Sequence, residues 1–275
     1  MMNDIFGQML REHDLSTVDG QRNATYEVMQ QVVLSGLYRS GFFKEAAFYG
    51  GTCLRIFHNL GRYSEDMDFS LLEKNPDFHF EDYFPAIIEE AKLLGRDVTI
   101  TKKDKRTFGK VESAFLKDNT DVYNLSFQTE KTLKIKIEVD TNPPLGFNTE
   151  QRLLMLPFSF QTRCLTLPCL YAGKMHALIF RAWKKRIKGR DWYDFEWYIR
   201  NNIPLDFNHL QLRTSEFSGL ELTKELFFEK LRERLATADI DMVKQDVEPF
   251  IIDKRELDIW SNDYFLQLAD MIRFE

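Results

Sequence analysis

Apolar residues recur at three- and four-residue intervals over residues 25–38. Tyr26, Met29, Val32, Val33, Leu37 and Tyr38 fall near one helical stripe there, and Gly41 follows as a stop. A sheet is expected to begin at Ala46. Tandem glycines, Gly50 and Gly51, then open a short helical pattern carrying Leu54, Phe57 and His58. Asp66-Met67-Asp68-Phe69 alternates polar with apolar, which puts both acids on one face of a strand and Met67 and Phe69 in the core. After a loop at 76–80, residues 80–94 carry Phe84, Ile87, Ile88, Ala91 and Leu94 on a helical stripe that Gly95 closes. Strand alternation dominates 96–165, clearest at 97–101, 122–127 and 133–140, and Pro143-Pro144 ends the last of these. From Pro168 the pattern is helical, with Gly189 breaking one helix and further stripes at 222–235 and 257–274. The fold class is therefore α+β: a mixed α/β region with flanking helices over 1–165, then a helical domain over 166–275. No internal repeat is visible.

Composition narrows the function. The chain has 275 residues, 44% apolar and 29% charged, with 24 phenylalanines, so its core is large and aromatic. A net charge of −6 argues against a general polyanion binder. Any nucleic-acid contact must come from a local patch, and the candidate is Arg181, Lys184, Lys185, Arg186, Lys188 and Arg190. A second basic run, Lys102, Lys103, Lys105, Arg106 and Lys110, reads as a solvated turn or an alternative patch. Cys53, Cys164 and Cys169 form no even framework, and the five histidines lack zinc-ligand spacing. Without a signal pattern or a long apolar run, a cytoplasmic location is expected.

The chemistry concentrates between Phe48 and Phe69. Tandem glycines let backbone N–H groups approach a ligand that a side chain would block. Asp66 and Asp68 on one face repel each other unless a cation lies between them. Hard oxygen ligands with phosphates completing the shell suit Mg²⁺ or Mn²⁺. On 133–140 the residues Lys134, Lys136, Glu138 and Asp140 share one face; a solvated edge strand is the plainer reading of that face. In the second motif stretch Lys174, Leu178, Arg181 and Lys185 share a helical face, and Arg190-Asp191 and Asp194 follow the glycine break. Asp191 could instead cap the helix that begins there. His58, His176 and the cluster Tyr171, Trp183, Trp192, Tyr193 and Trp197 read as packing.

These motifs in this order resemble the nucleotidyltransferase superfamily, and in particular the AbiEii/AbiGii group of nucleotidyltransferase-like toxins. The likeness rests on Gly50, Gly51, Thr52, Leu54 and Arg55, on Arg62, Ser64, Asp66 and Asp68, and on Lys174, Arg190, Asp191 and Asp194. It covers roughly residues 46–200. The resemblance implies a nucleotidyltransferase-fold sheet, with the helical domain completing the active-site cleft. It implies transfer of a nucleoside monophosphate from an NTP to an acceptor hydroxyl, the acceptor being RNA such as a tRNA 3′ end. Asp66, Asp68 and Glu138 would hold the metal, with Asp140 the reserve for the third acid. Gly50, Gly51, Thr52, Arg55, Ser64, Lys174 and Asp194 would bind the nucleotide, and Asp191 would orient it or the acceptor. A cognate antitoxin, a winged-helix regulator that need not bind directly, is the implied partner. A kinase-like phosphotransferase and a non-catalytic nucleotide-binding module are the alternatives.

Overall fold

A computed structural model describes residues 4–103, 120–127, 133–181 and 187–275. Lys105, Arg106, Lys110, Lys184, Lys185 and Arg186 lie outside the described residues. Contacts divide the chain into two units. One comprises Met1–His58, Ser64–Pro143 and Thr149–Cys164; the other comprises Asn59–Tyr63, Pro144–Asn148 and Leu165–Glu275. The two short excursions into the second unit leave no mark in the hydropathy pattern.

The first unit is built on a seven-stranded mixed sheet. Its strands are β1 (Ala46–Tyr49), β2 (Met67–Leu71), β3 (Val98–Lys102), β4 (Thr120–Phe127), β5 (Leu133–Asp140), β6 (Thr149–Leu154) and β7 (Phe160–Leu165), in the order β3-β4-β5-β2-β1-β7-β6. β2 runs antiparallel to β1, with Tyr49 opposite Asp68, and parallel to β5, with Asp68 opposite Glu138. The alternation read in 133–140 is real: Leu133, Ile135, Ile137 and Val139 are buried while the charged residues are not. Four helices belong to this unit: α1 (Ile5–Leu10), α2 (Val18–Arg39), α3 (Gly50–His58) and α4 (Phe84–Leu93). The Thr17 hydroxyl caps α2 by accepting from the Gly20 N–H, and Gly41 at φ 81° ends it where expected. The helix expected over 80–94 is a 3₁₀ turn, Phe80–Tyr83, followed by α4. Pro85 sits in the first turn of α4, where its missing N–H is harmless and its ring excludes a preceding helical turn. Phe42, Phe69, Phe80 and Tyr83 meet edge-on beneath the sheet, Phe42 and Phe69 at 5.1 Å.

The second unit is helical: α5 (Leu167–Phe180), α6 (Arg190–Arg200), α7 (Phe207–Ser218), α8 (Lys224–Thr237), α9 (Ile240–Val247) and α10 (Asn262–Ala269). Side-chain caps define four of them, with Asp206, Thr223, Asp239 and Ser261 each accepting from an N–H three residues on. The extended Ser261 is also why the stripe at 257–274 is not one helix but a 3₁₀ turn, Lys254–Leu257, and then α10. α6 is an interior helix: every residue from Asp191 to Ile199 is buried, including Asp191, Asp194 and Glu196. Buried acids need partners. Glu196 accepts from Trp260 Nε1 at 2.6 Å and pairs with Arg200. The excursion Asn59–Tyr63 bridges Ile251 through Arg62, and Tyr63 N–H donates to the Phe250 carbonyl at 2.8 Å. All three cysteines are free and buried, and no described helix is long and apolar enough to cross a membrane.

Two histidines make stability depend on pH. His58 is pushed down to about 4 by burial and then by Arg152. His209 is pushed to about 4 by burial and then by Arg213, against a smaller opposing pull from Asp206. Between the unfolded value of 6.5 and about 4, the unfolded chain takes up protons that the folded chain refuses. Stability contributed by the neutral rings is thus full above pH 6.5 and is lost as pH falls, by up to about 3 kcal/mol per histidine. Urea midpoints at pH 7.5, 6 and 5 should fall in that order, and His209→Leu should flatten the trend. Parallel pH curves for wild type and His209→Leu would remove His209 as a cause.

Candidate active site

In the first unit the site is set by strand register. Parallel pairing places Asp68 beside Glu138 with their side chains on one face, and Asp66 lies two residues before Asp68. Between β5 residues of like face, the Lys136 ammonium pairs with the Glu138 carboxylate. Burial works to lower the pKa of Lys136. Glu138, and then Asp66 and Asp68, outweigh it and raise the value. The Lys136 ammonium thus sits on the acid-bearing face, paired with Glu138. Among the described residues no group of three or more His, Cys, Asp and Glu side chains is gathered tightly enough to hold a metal as the side chains stand. Asp68 and Glu138 on adjacent strands, with Asp66 just before β2, are nevertheless oxygen donors of the kind a hard divalent ion takes.

The glycine turn abuts this face. β1 ends at Tyr49 and α3 begins at Gly50 with no intervening loop. Gly50 has φ 83°, and a Cβ there would strike the Asp68 carboxylate. The first glycine is therefore required by the protein's own acid. Thr52 is fully buried, and its hydroxyl donates to the main-chain carbonyl of Asp66, tying α3 to the start of β2. Ser64 offers its carbonyl to Gln30 Nε2 at 3.0 Å, and its hydroxyl has no protein partner among the described residues. Of the two hydroxyls expected near phosphate, Ser64 has the freedom to bind one. Arg55 Nε donates to Glu27 of α2 at 2.8 Å, which braces α3 from behind.

The second unit holds an ion cluster. Lys174 Nζ lies 2.8 Å from Asp191 Oδ1 and 2.8 Å from Asp194 Oδ2. Arg62 grips Asp194 with both ends of its fork, Nε to Oδ1 and Nη2 to Oδ2, each at 2.6 Å. Arg181 Nη1 reaches Asp191 Oδ2 at 3.4 Å. Burial alone would raise the pKa of both aspartates. Lys174, Arg181 and Lys188 around Asp191, and Arg62 and Lys174 around Asp194, reverse that and hold both below the usual carboxylate range. Asp191 makes no side-chain cap for α6, whose N-cap is Gly189. Its carboxylate serves the cations instead.

The expected basic patch is only partly described. Arg181 faces Asp191, Arg190 lies over the Phe250 ring at 4.3 Å, and Lys188 is half-buried. The pKa of Lys188 is pushed down to about 8, by burial first and then by Arg181, against an opposing pull from Asp191. His58 packs beside Arg152 and Glu150, and His176 packs against Phe180 and Phe217. Two residues with central positions were not among the sequence candidates for the site. Lys136 was visible only as one lysine on a charged strand face. Arg62 was visible as the arginine leading into Ser64 and the two acids.

Solved structures share this architecture. MenT4, a nucleotidyltransferase toxin of Mycobacterium tuberculosis H37Rv, superposes with a TM-score of 0.60 at 17% identity, covering 96% of this chain and 93% of that one. JHP933 from Helicobacter pylori superposes at 0.52 and 16% identity, covering 91% and 90%. The fold, with its acid-bearing central strand, is that of a nucleotidyltransferase. The sequence profile of the nucleotidyl transferase AbiEii toxins, of type IV toxin–antitoxin systems, matches residues 32–268, and the chain belongs to that family. No curated protein matches.

The packing of Asp68 over Gly50 gives a double-mutant test. Gly50→Ala should destabilise the protein by about 1–3 kcal/mol, from positive φ plus the clash. In an Asp68→Ala background the same change should cost less, because only the backbone strain remains. Urea unfolding of the four proteins measures the coupling. Equal costs in both backgrounds would mean the carboxylate is not what excludes a side chain at Gly50.

Proposed function

We propose that this toxin-family nucleotidyltransferase moves a nucleoside monophosphate from an NTP to an acceptor hydroxyl of RNA, such as a tRNA 3′ end, with the aid of Mg²⁺ or Mn²⁺. The observation that carries the reading is the register that sets Asp68 beside Glu138, just after Asp66, with Lys136 paired to Glu138 on that face. Asp66, Asp68 and Glu138 would hold the divalent ion, which when bound supplies Lewis-acid activation and charge neutralisation. Lys136, paired with Glu138 on the same face, would add positive charge for phosphate oxygens. Gly50 and Gly51, at the start of α3, present main-chain N–H groups to the β- and γ-phosphates, and the Ser64 hydroxyl adds a donor. Lys174 meets triphosphate charge, while Asp191 fixes the lysine in place. Asp194 belongs to the same ion cluster and supports the nucleotide through Lys174. The partner at a distance is an antitoxin of winged-helix type that need not bind the toxin directly.

Transfer is tested with α-labelled and γ-labelled NTP and tRNA. Label should reach RNA only from the α position, and Asp66→Ala or Asp68→Ala should reduce transfer by at least a hundredfold while the fold survives. Label from the γ position would make the enzyme a phosphotransferase; full turnover by Asp66→Ala would remove the metal assignment.

Acceptor binding is tested with salt. If the patch around Arg181–Arg190 neutralises about four phosphates of a single-stranded end, log affinity should fall against log salt with a slope near −3. Lys184→Ala with Lys185→Ala should flatten that slope by about 1.4. An unchanged slope would send the acceptor to the run at Lys102–Lys110, and a wild-type slope near zero would remove RNA.

A further inference from the structure

We infer that Arg62 is a positioning residue for Lys174, acting by taking up the charge of Asp194 so that the lysine keeps positive charge to offer phosphate. The inference rests on the proposed nucleotide role of Lys174. Arg62 is 2% exposed and Asp194 is wholly buried, whereas the Lys174 side chain is 14% exposed and that of Arg181 22%. An anion arriving from solvent therefore meets Lys174 and Arg181, while Arg62 is sealed behind them. Arg62 is also fixed by its own main chain, donating from Nη1 to the Tyr63 carbonyl at 3.0 Å.

The charge count shows what this arrangement does. Asp194 Oδ2 is shared between Arg62 Nη2 and Lys174 Nζ, and Asp191 is shared between Lys174 and Arg181. Arg62, Lys174 and Arg181 contact the two carboxylates and Lys188 lies near Asp191, so positive charge exceeds negative in this cluster. Without Arg62 the cluster loses one of those positive charges, and Lys174 is left as the described cation in contact with Asp194. The two-pronged contact needs a planar fork, so lysine at position 62 restores charge without geometry. Arg62 thus explains why a wholly buried acid, unable to touch a ligand, stands three residues from Asp191 in the motif.

The test uses inorganic tripolyphosphate, which carries no base preference, and the reactivity of Lys174 toward an acylating reagent at fixed pH, read by peptide mass spectrometry. Arg62→Met should weaken tripolyphosphate binding by tenfold or more in calorimetry and slow Lys174 acylation by a similar factor. Arg62→Met with Asp194→Asn removes both buried charges and should return both readouts to within about threefold of wild type. Arg62→Lys should fall between. Thermal melts report folding; if Arg62→Met alone fails to fold, the double variant and Arg62→Lys carry the decision. A folded double variant as weak as Arg62→Lys or weaker, or an unchanged Lys174 reactivity across the series, overturns the inference. A wild type that ignores tripolyphosphate while Lys174 reactivity shifts as stated would instead remove the nucleotide role of Lys174 and leave its coupling to Arg62 intact.

Discussion

The parallel register of β2 on β5 is the constraint on which the acid-bearing face depends. β2 has neighbours on both sides, so it cannot slip without breaking two ladders at once. A shift by one residue would send Asp66 and Asp68 into the aromatic core and bring Met67 and Phe69 out to solvent. Burial of Met67 and Phe69 therefore aligns the acids more firmly than any contact the acids make themselves. The hydrophobic effect sets the position of the charges, and the charges then set the chemistry.

The helical unit solves a different problem. An interior helix carrying Asp191, Asp194 and Glu196 would be unstable if those acids had no partners, because desolvation of each carboxylate costs several kcal/mol. The partners come from separate segments: Arg62 from a five-residue excursion, Lys174 from α5, Arg181 from the extended residue after it, and Trp260 from the chain beyond α9. Such a cluster adds little net stability over an apolar core of the same shape. Its effect is to define geometry, since moving any member leaves another charge buried alone.

Much of this was legible in the sequence, and the limits have physical causes. The strand over 133–140 and the helix stop at Gly41 follow from periodicity and backbone freedom, which are local properties. The acids Asp66, Asp68 and Glu138 could be placed on one face by alternation, but their side-by-side register is a long-range pairing that no local pattern encodes. For the same reason the partner of Asp194 could not be read: Arg62 lies 132 residues away. Helices α7 and α9 fall within the stretch read as helical from Pro168, but their short apolar stripes left them undelimited. The basic patch looked like surface because composition does not distinguish a lysine in water from Lys188, which is half-buried and lies near other cations.

The junction of β1 and α3 contains no loop at all. A strand that becomes a helix between Tyr49 and Gly50 leaves the first helical amides at the end of the sheet with almost no torsional freedom of their own. Whatever anion meets those amides finds them already oriented. The entropy of arranging them was spent when the chain folded, not when the ligand arrives. If phosphate meets these amides as proposed, no loop-closing step precedes the contact.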